Sequence, residues 1–265
     1  MRWIVLLAAL AMPVVAWLSQ TGMFGPTNGA VSDQYPTLLV AAGYAFAIWG
    51  VIFLWDVLFG FWQLRLRKPD ITGVRPWAAA GFALTAAWMP VFSNQWFLPA
   101  LAIIWAALLC LIVAAYRASP ITAPGGQRAW AAYPLGLHAG WLSLAAYLNT
   151  AQVIVAYRWL PTDNMLGWSL VLLVLATLLV LVVNQLLRGH FAYPAAVIWA
   201  LAGMYVKQSG WDLPGAANIA TLALVLIIIV VIQTVWLRVR AYRQPRAIAA
   251  AHRHRRWFFL QETRP

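Results

Sequence analysis

Apolar stretches about as long as a membrane is thick recur along this chain, and its charged residues gather in the short segments between them. Crossing hydrocarbon takes about 20 residues at about 1.5 Å of rise each, and backbone groups there must bond within their own segment. The pattern therefore predicts helices over 3–19, 40–64, 76–94, 97–116, 130–157, 167–187, 191–206 and 217–239. The expected fold class is all-α, a polytopic integral membrane bundle of eight spans. The seventh is short, stops before Lys207 and carries Tyr193-Pro194, which leaves a tilted, broken or re-entrant course open to it.

Composition agrees, since 64% of the residues are apolar and 9% charged, against about 25% charged in soluble domains. The net charge of +12 is unevenly placed. On the eight-span plan sixteen of the eighteen basic residues fall on one side, leaving only Arg158 and Lys207 opposite. The positive-inside rule then predicts cytoplasmic N- and C-termini, as in a bacterial inner membrane. Such a distribution reads as a topology signal that also attracts anionic lipid, and not as a nucleic-acid surface. The tail 242–265, with HRHRRWFF at 252–259, is expected to lie on the inner leaflet. Arg2 and the apolar run after it have the form of a signal peptide, here expected to be retained as an anchor. The single cysteine, Cys110, permits no internal disulfide.

Ionisable groups inside a span are costly and mark function by default. Only Asp56 and His138 lie well inside, at similar depth by helical rise. They can pair as a polar contact between the second and fifth spans, or contact a ligand, with His138 as an axial ligand to a tetrapyrrole metal. HExxH, GxSxG, a phosphate loop and paired carboxylates are missing, so neither catalysis nor a required cofactor or metal is expected.

Tryptophan is the unusual component, with 17 in the chain. Several fall near span ends, where indoles favour the interface. Trp49, Trp88 and Trp141 lie deeper, and packing between helices accounts for each taken singly. Together with Tyr44, Phe46, Thr85 and Asn149 they form the mixture of aromatic walls and a few polar groups that ligand sites use.

At these positions the chain resembles the TspO/translocator-protein family, the tryptophan-rich sensory proteins. WLSLAAYLN, Trp141 to Asn149, is similar to the family's W-x-x-F-A-x-x-L-N, with Leu144 in place of the Phe. ALTAAWMPVF, Ala83 to Phe92, resembles A-L-N-x-x-W-S-x-x-F, with Thr85 for Asn and Met89 for Ser. YAFAIWGVIF, Tyr44 to Phe53, resembles W-A-F-x-x-x-W-x-x-x-Y with one residue fewer between Phe46 and Trp49.

The resemblance implies a five-helix unit over 1–157, with an added three-helix unit over 158–241 and the tail 242–265. It implies binding of a hydrophobic planar ligand, a porphyrin or other tetrapyrrole or a sterol, for sensing, regulation or transport. Tyr44, Phe46, Trp49, Thr85, Trp88, Trp141 and Asn149 would form the site, under a lid from the loop 20–39. Expected partners are membrane lipid, the ligand, and a second copy or a larger membrane complex. A non-catalytic accessory subunit of such a complex, with or without an associated pigment, and a small-molecule transporter are the alternative readings.

Overall fold

A computed structural model describes the backbone of residues 1–65, 69–119 and 130–262, and the side chains of these except 69, 70 and 242–262. Arg67, Lys68, Arg128 and Arg264 of the topology signal, and the side chains of the tail 242–265, lie outside the described residues. Among the described residues the chain is helical throughout, with no strand. In order come α1 (Arg2–Gln20), α2 (Asn28–Gln34), a 3-10 turn (Gly43–Ala47), α3 (Ile48–Leu64), α4 (Pro69–Thr72), α5 (Arg75–Ser93), α6 (Phe97–Ala118), α7 (Ala132–Tyr157), α8 (Leu166–Leu186), α9 (Ala192–Ser209) and α10 (Ala216–Glu262).

Six of these stretches are long and apolar enough to cross a membrane: α1, Gly43–Leu64, α6, α7, α8 and Ala216–Ala241 of α10. The other two long helices, α5 and α9, have 19 and 18 residues and richer small and polar content. Each is screened by neighbours, α5 by α1 and α6, α9 by α7 and α10. A helix shielded from lipid needs fewer apolar side chains, and small residues let its backbone approach others closely.

One end of the bundle is tied by Arg75, whose Nε donates to Gln63 Oε1 at 2.8 Å while Gln63 Nε2 donates to the Arg2 carbonyl at 2.8 Å. This joins α1, α3 and α5 at their basic end. The opposite end carries α2 and is called the lid end below.

One expectation from the apolar pattern is corrected, and one that it left open is narrowed. Residues 40–42 are not helical, and α9 supplies the partners their backbone would otherwise lack. Ala42 N donates to the Gly203 carbonyl at 2.9 Å and Gln208 Nε2 to the Val40 carbonyl at 3.0 Å, while Trp199 Nε1 bonds the Ala45 carbonyl in the 3-10 turn at 2.8 Å. Backbone at this depth is tolerated because the bundle satisfies it. The seventh span is an unbroken helix running past Lys207 to Ser209. Pro194 sits in its first turn, where a missing N–H breaks no intrahelical bond.

The last three helices are also less separate than a five-plus-three division implies. Ser143 Oγ of α7 and Tyr193 OH of α9 lie 2.9 Å apart, both buried. Gly140 of α7 faces the Tyr193 backbone, and Gly203 of α9 faces Ala45 and Ala41. At both places a side chain would hold the helices apart.

Candidate functional site

A cavity of about 550 Å³ opens at the lid end. Its volume falls in the range of small-molecule sites, about 300–1,000 Å³. Phe46, Trp49 and Phe53 line it from the 3-10 turn and α3, Trp88, Met89 and Phe92 from α5, and Trp141, Leu144, Leu148, Asn149 and Gln152 from α7. These positions recur every three or four residues along α5 and α7, the spacing that sets side chains on one helix face.

The aromatic walls hold one another through edge-to-face and stacked contacts. Trp141 meets Phe46 edge to face with centroids 5.7 Å apart, and meets Trp49 at 6.0 Å. Trp49 stacks on Phe53 at 5.1 Å and Trp88 on Phe92 at 4.8 Å. Such pairs add about 0.5–1.5 kcal/mol each beyond area burial and fix ring orientation. Trp141 Nε1 is buried with no hydrogen-bond partner.

A polar chain joins this wall to the lid. Trp88 Nε1 donates to Asn149 Oδ1 at 3.1 Å, Asn149 Nδ2 reaches Gln152 Oε1 at 3.5 Å, and Gln152 Nε2 donates to Ser32 Oγ of α2 at 2.7 Å. Thr27 caps α2 by accepting from Ala30 N at 3.2 Å, and Ser93 Oγ donates to Asn28 Oδ1 at 2.8 Å. The loop 20–39 therefore covers the cavity with a short helix bonded to α5 and α7. Gln152→Ala is expected to loosen α2 by about 1 kcal/mol, raising hydrogen exchange of the 28–34 amides about fivefold. Unchanged exchange would mean that packing alone holds the lid.

Of the seven ligand-site residues expected from the sequence, Phe46, Trp49, Trp88, Trp141 and Asn149 line the cavity. Tyr44 and Thr85 do not. The 3-10 turn puts Tyr44 on the outside of the bundle, half exposed and edge-on to Trp199 at 5.7 Å. Thr85 faces inward to a separate buried cluster, its Oγ1 3.3 Å from His138 Nε2.

Asp56 and His138 meet in that cluster, with His138 Nδ1 2.7 Å from Asp56 Oδ2 and both side chains fully buried. Phe82 stacks over the imidazole at 6.0 Å and Trp49 meets it edge-on at 5.7 Å. Both ring nitrogens are occupied and the ring does not line the cavity, so this geometry presents His138 as a polar pair and not as an axial ligand. The order Thr85, His138, Asp56 has the connectivity of a nucleophile, base and orienter. None of the three lines the cavity.

A family model described as TSPO-like protein matches residues 2–236. This chain belongs to the TSPO-like protein family. No curated protein and no solved structure matches it. Membership makes it, at a coarse level, a membrane protein of a ligand-binding and sensing type.

The TSPO-like match extends into the last three helices, and one of them, α9, reaches the site. Ala200, Met204 and Lys207 of α9 line the cavity beside the α7 residues. Sequence reasoning missed them because motif similarity stopped at the fifth span. The available signal was their spacing of four and three residues on one helix face, ending in a lysine on the side poorer in charge.

Proposed function

We propose that this TSPO-like protein is a membrane-embedded receptor for a hydrophobic planar ligand of the porphyrin, tetrapyrrole or sterol class, acting in sensing, regulation or transport. The supporting observation is the cavity of about 550 Å³ walled by Trp49, Trp88 and Trp141 beneath a bonded lid. Indole faces stack on a flat apolar ring, while Asn149 and Gln152 offer hydrogen bonds to its polar edge. A tetrapyrrole would be held by ring faces and edge contacts, without an axial bond from His138. The reading is non-catalytic. The Thr85, His138, Asp56 series is sealed from the cavity, where a substrate would have to reach it. The concentration of basic residues on one side supports cytoplasmic termini in a bacterial inner membrane as part of this reading.

Titrating the purified chain with protoporphyrin while following Trp fluorescence tests this reading. Saturable quenching is expected, with Trp141→Ala weakening affinity about tenfold. Quenching that never saturates, or that Trp141→Ala leaves intact in a folded variant, would remove the cavity from the proposal.

A further inference from the structure

We infer that Lys207 is the anchoring cation of the cavity, so that its ligand class is an amphiphile with a planar apolar body and one carboxylate that meets this lysine. This rests on the cavity being a ligand site, as proposed above, and deepens it by naming the ligand's polar end.

Among the described residues Lys207 is the one basic residue in the cavity lining. It is half-buried at the mouth, and its Nζ lies 4.5 Å from the centroid of the Trp211 ring. That contact steadies the ammonium through the face of the indole but satisfies none of its three donors with an oxygen. No carboxylate pairs with it among the described residues. Asp33, at the same mouth, and Asp212, beyond the end of α9, are both exposed and make no ion pair with it.

Its placement also runs against the charge distribution of the chain. Arg158 and Lys207 are the two basic residues on the side where the topology plan puts almost none. Arg158 is the exposed cap of α7 and does not line the cavity. Lys207 does, at the end of the α9 face that carries Ala200 and Met204. Seven residues of helix set the charge about 10 Å along the axis from Ala200. A ligand held by Lys207 therefore has about 10 Å of the α9 wall, through Met204 to Ala200, beneath its charged group.

One ammonium with a carboxylate on the same rim matches a singly charged group. A phosphate dianion would meet Asp33 with only one cation to offset it and without the bidentate fork that an arginine supplies.

The test uses the full chain in detergent with two probes, 1-pyrenebutyrate and its neutral primary amide, read by energy transfer from tryptophan to pyrene. The acid is expected to bind about tenfold more tightly than the amide, as one charge-assisted contact at a half-exposed site allows. Lys207→Gln should erase that preference by weakening binding of the acid about tenfold, to the level of the amide, and Lys207→Arg should keep it. Equal affinity for acid and amide in the wild type, or a preference that survives Lys207→Gln, overturns the assignment and leaves the cavity reading standing. Saturable binding of neither probe overturns both.

Discussion

His138→Ala is expected to destabilise the folded bundle by about 3 kcal/mol, visible as a lower thermal midpoint of the purified protein in detergent. The imidazole bridges two helices, with Nδ1 against Asp56 of α3 and Nε2 against Thr85 of α5, while its own backbone belongs to α7. Asp56 Oδ1 already lacks a hydrogen-bond partner, so removing the histidine strips the remaining contact from a fully buried carboxyl group. The cost comes from the orphaned partner more than from the bond itself. Asp56→Leu combined with His138→Leu is therefore expected to lose less than the two single variants added together. A wild-type midpoint for His138→Ala, or strictly additive losses, would show that the pair stabilises nothing. Trp49 rests edge-on against this ring, so ligand affinity should fall along with stability.

Gly140→Ala should be nearly as harmful although it adds a single methyl group. A Cβ at Gly140 would overlap the Tyr193 carbonyl oxygen and stand 3.0 Å from Ala196 Cβ. The obstacle is backbone, which cannot rotate away, so α9 must separate from α7. Overpacking of this kind costs about 1–3 kcal/mol, here with the added loss of the buried Ser143 to Tyr193 contact. Gly50→Ala is the control. A Cβ there meets nothing within 4 Å, and the helix gains about 0.5–1 kcal/mol from the lost glycine. The two substitutions should shift the midpoint in opposite directions, and a shared direction would mean that the α7 to α9 contact is not close.

Most of the helical layout was legible because the requirement for about 20 apolar residues leaves a coarse imprint that needs no knowledge of partners. The start of α3 was not. Residues 40–42 are as apolar as the helix that follows, and only the Gly203 carbonyl and Gln208 side chain from α9 make a non-helical path tolerable there. The continuation of α9 past Lys207 to Ser209 was not legible either, because the Lys207 contact with the Trp211 ring is set by the fold. In the site, Trp49, Trp88, Trp141 and Asn149 could be found because indoles and an amide deep in a span need a reason to be there. Thr85 had the same depth and polarity but points to His138, a direction that one helix's periodicity does not specify without its neighbours. Tyr44 failed for a different reason, since the 3-10 turn has about 3.0 residues per turn and advances its side chain out of step with α3.

The α9 wall has a consequence for how the protein comes into being. Synthesis proceeds from the N-terminus, so Trp49, Trp88 and Trp141 enter the membrane well before Ala200, Met204 and Lys207. Until the seventh long helix inserts, the aromatic face of the nascent chain is open on one flank to lipid. Gly203 has then not yet bonded Ala42, and the carbonyls of Val40 and Ala45 lack their α9 donors. Closure of the cavity and completion of backbone pairing at the start of α3 are thus one late event in biogenesis.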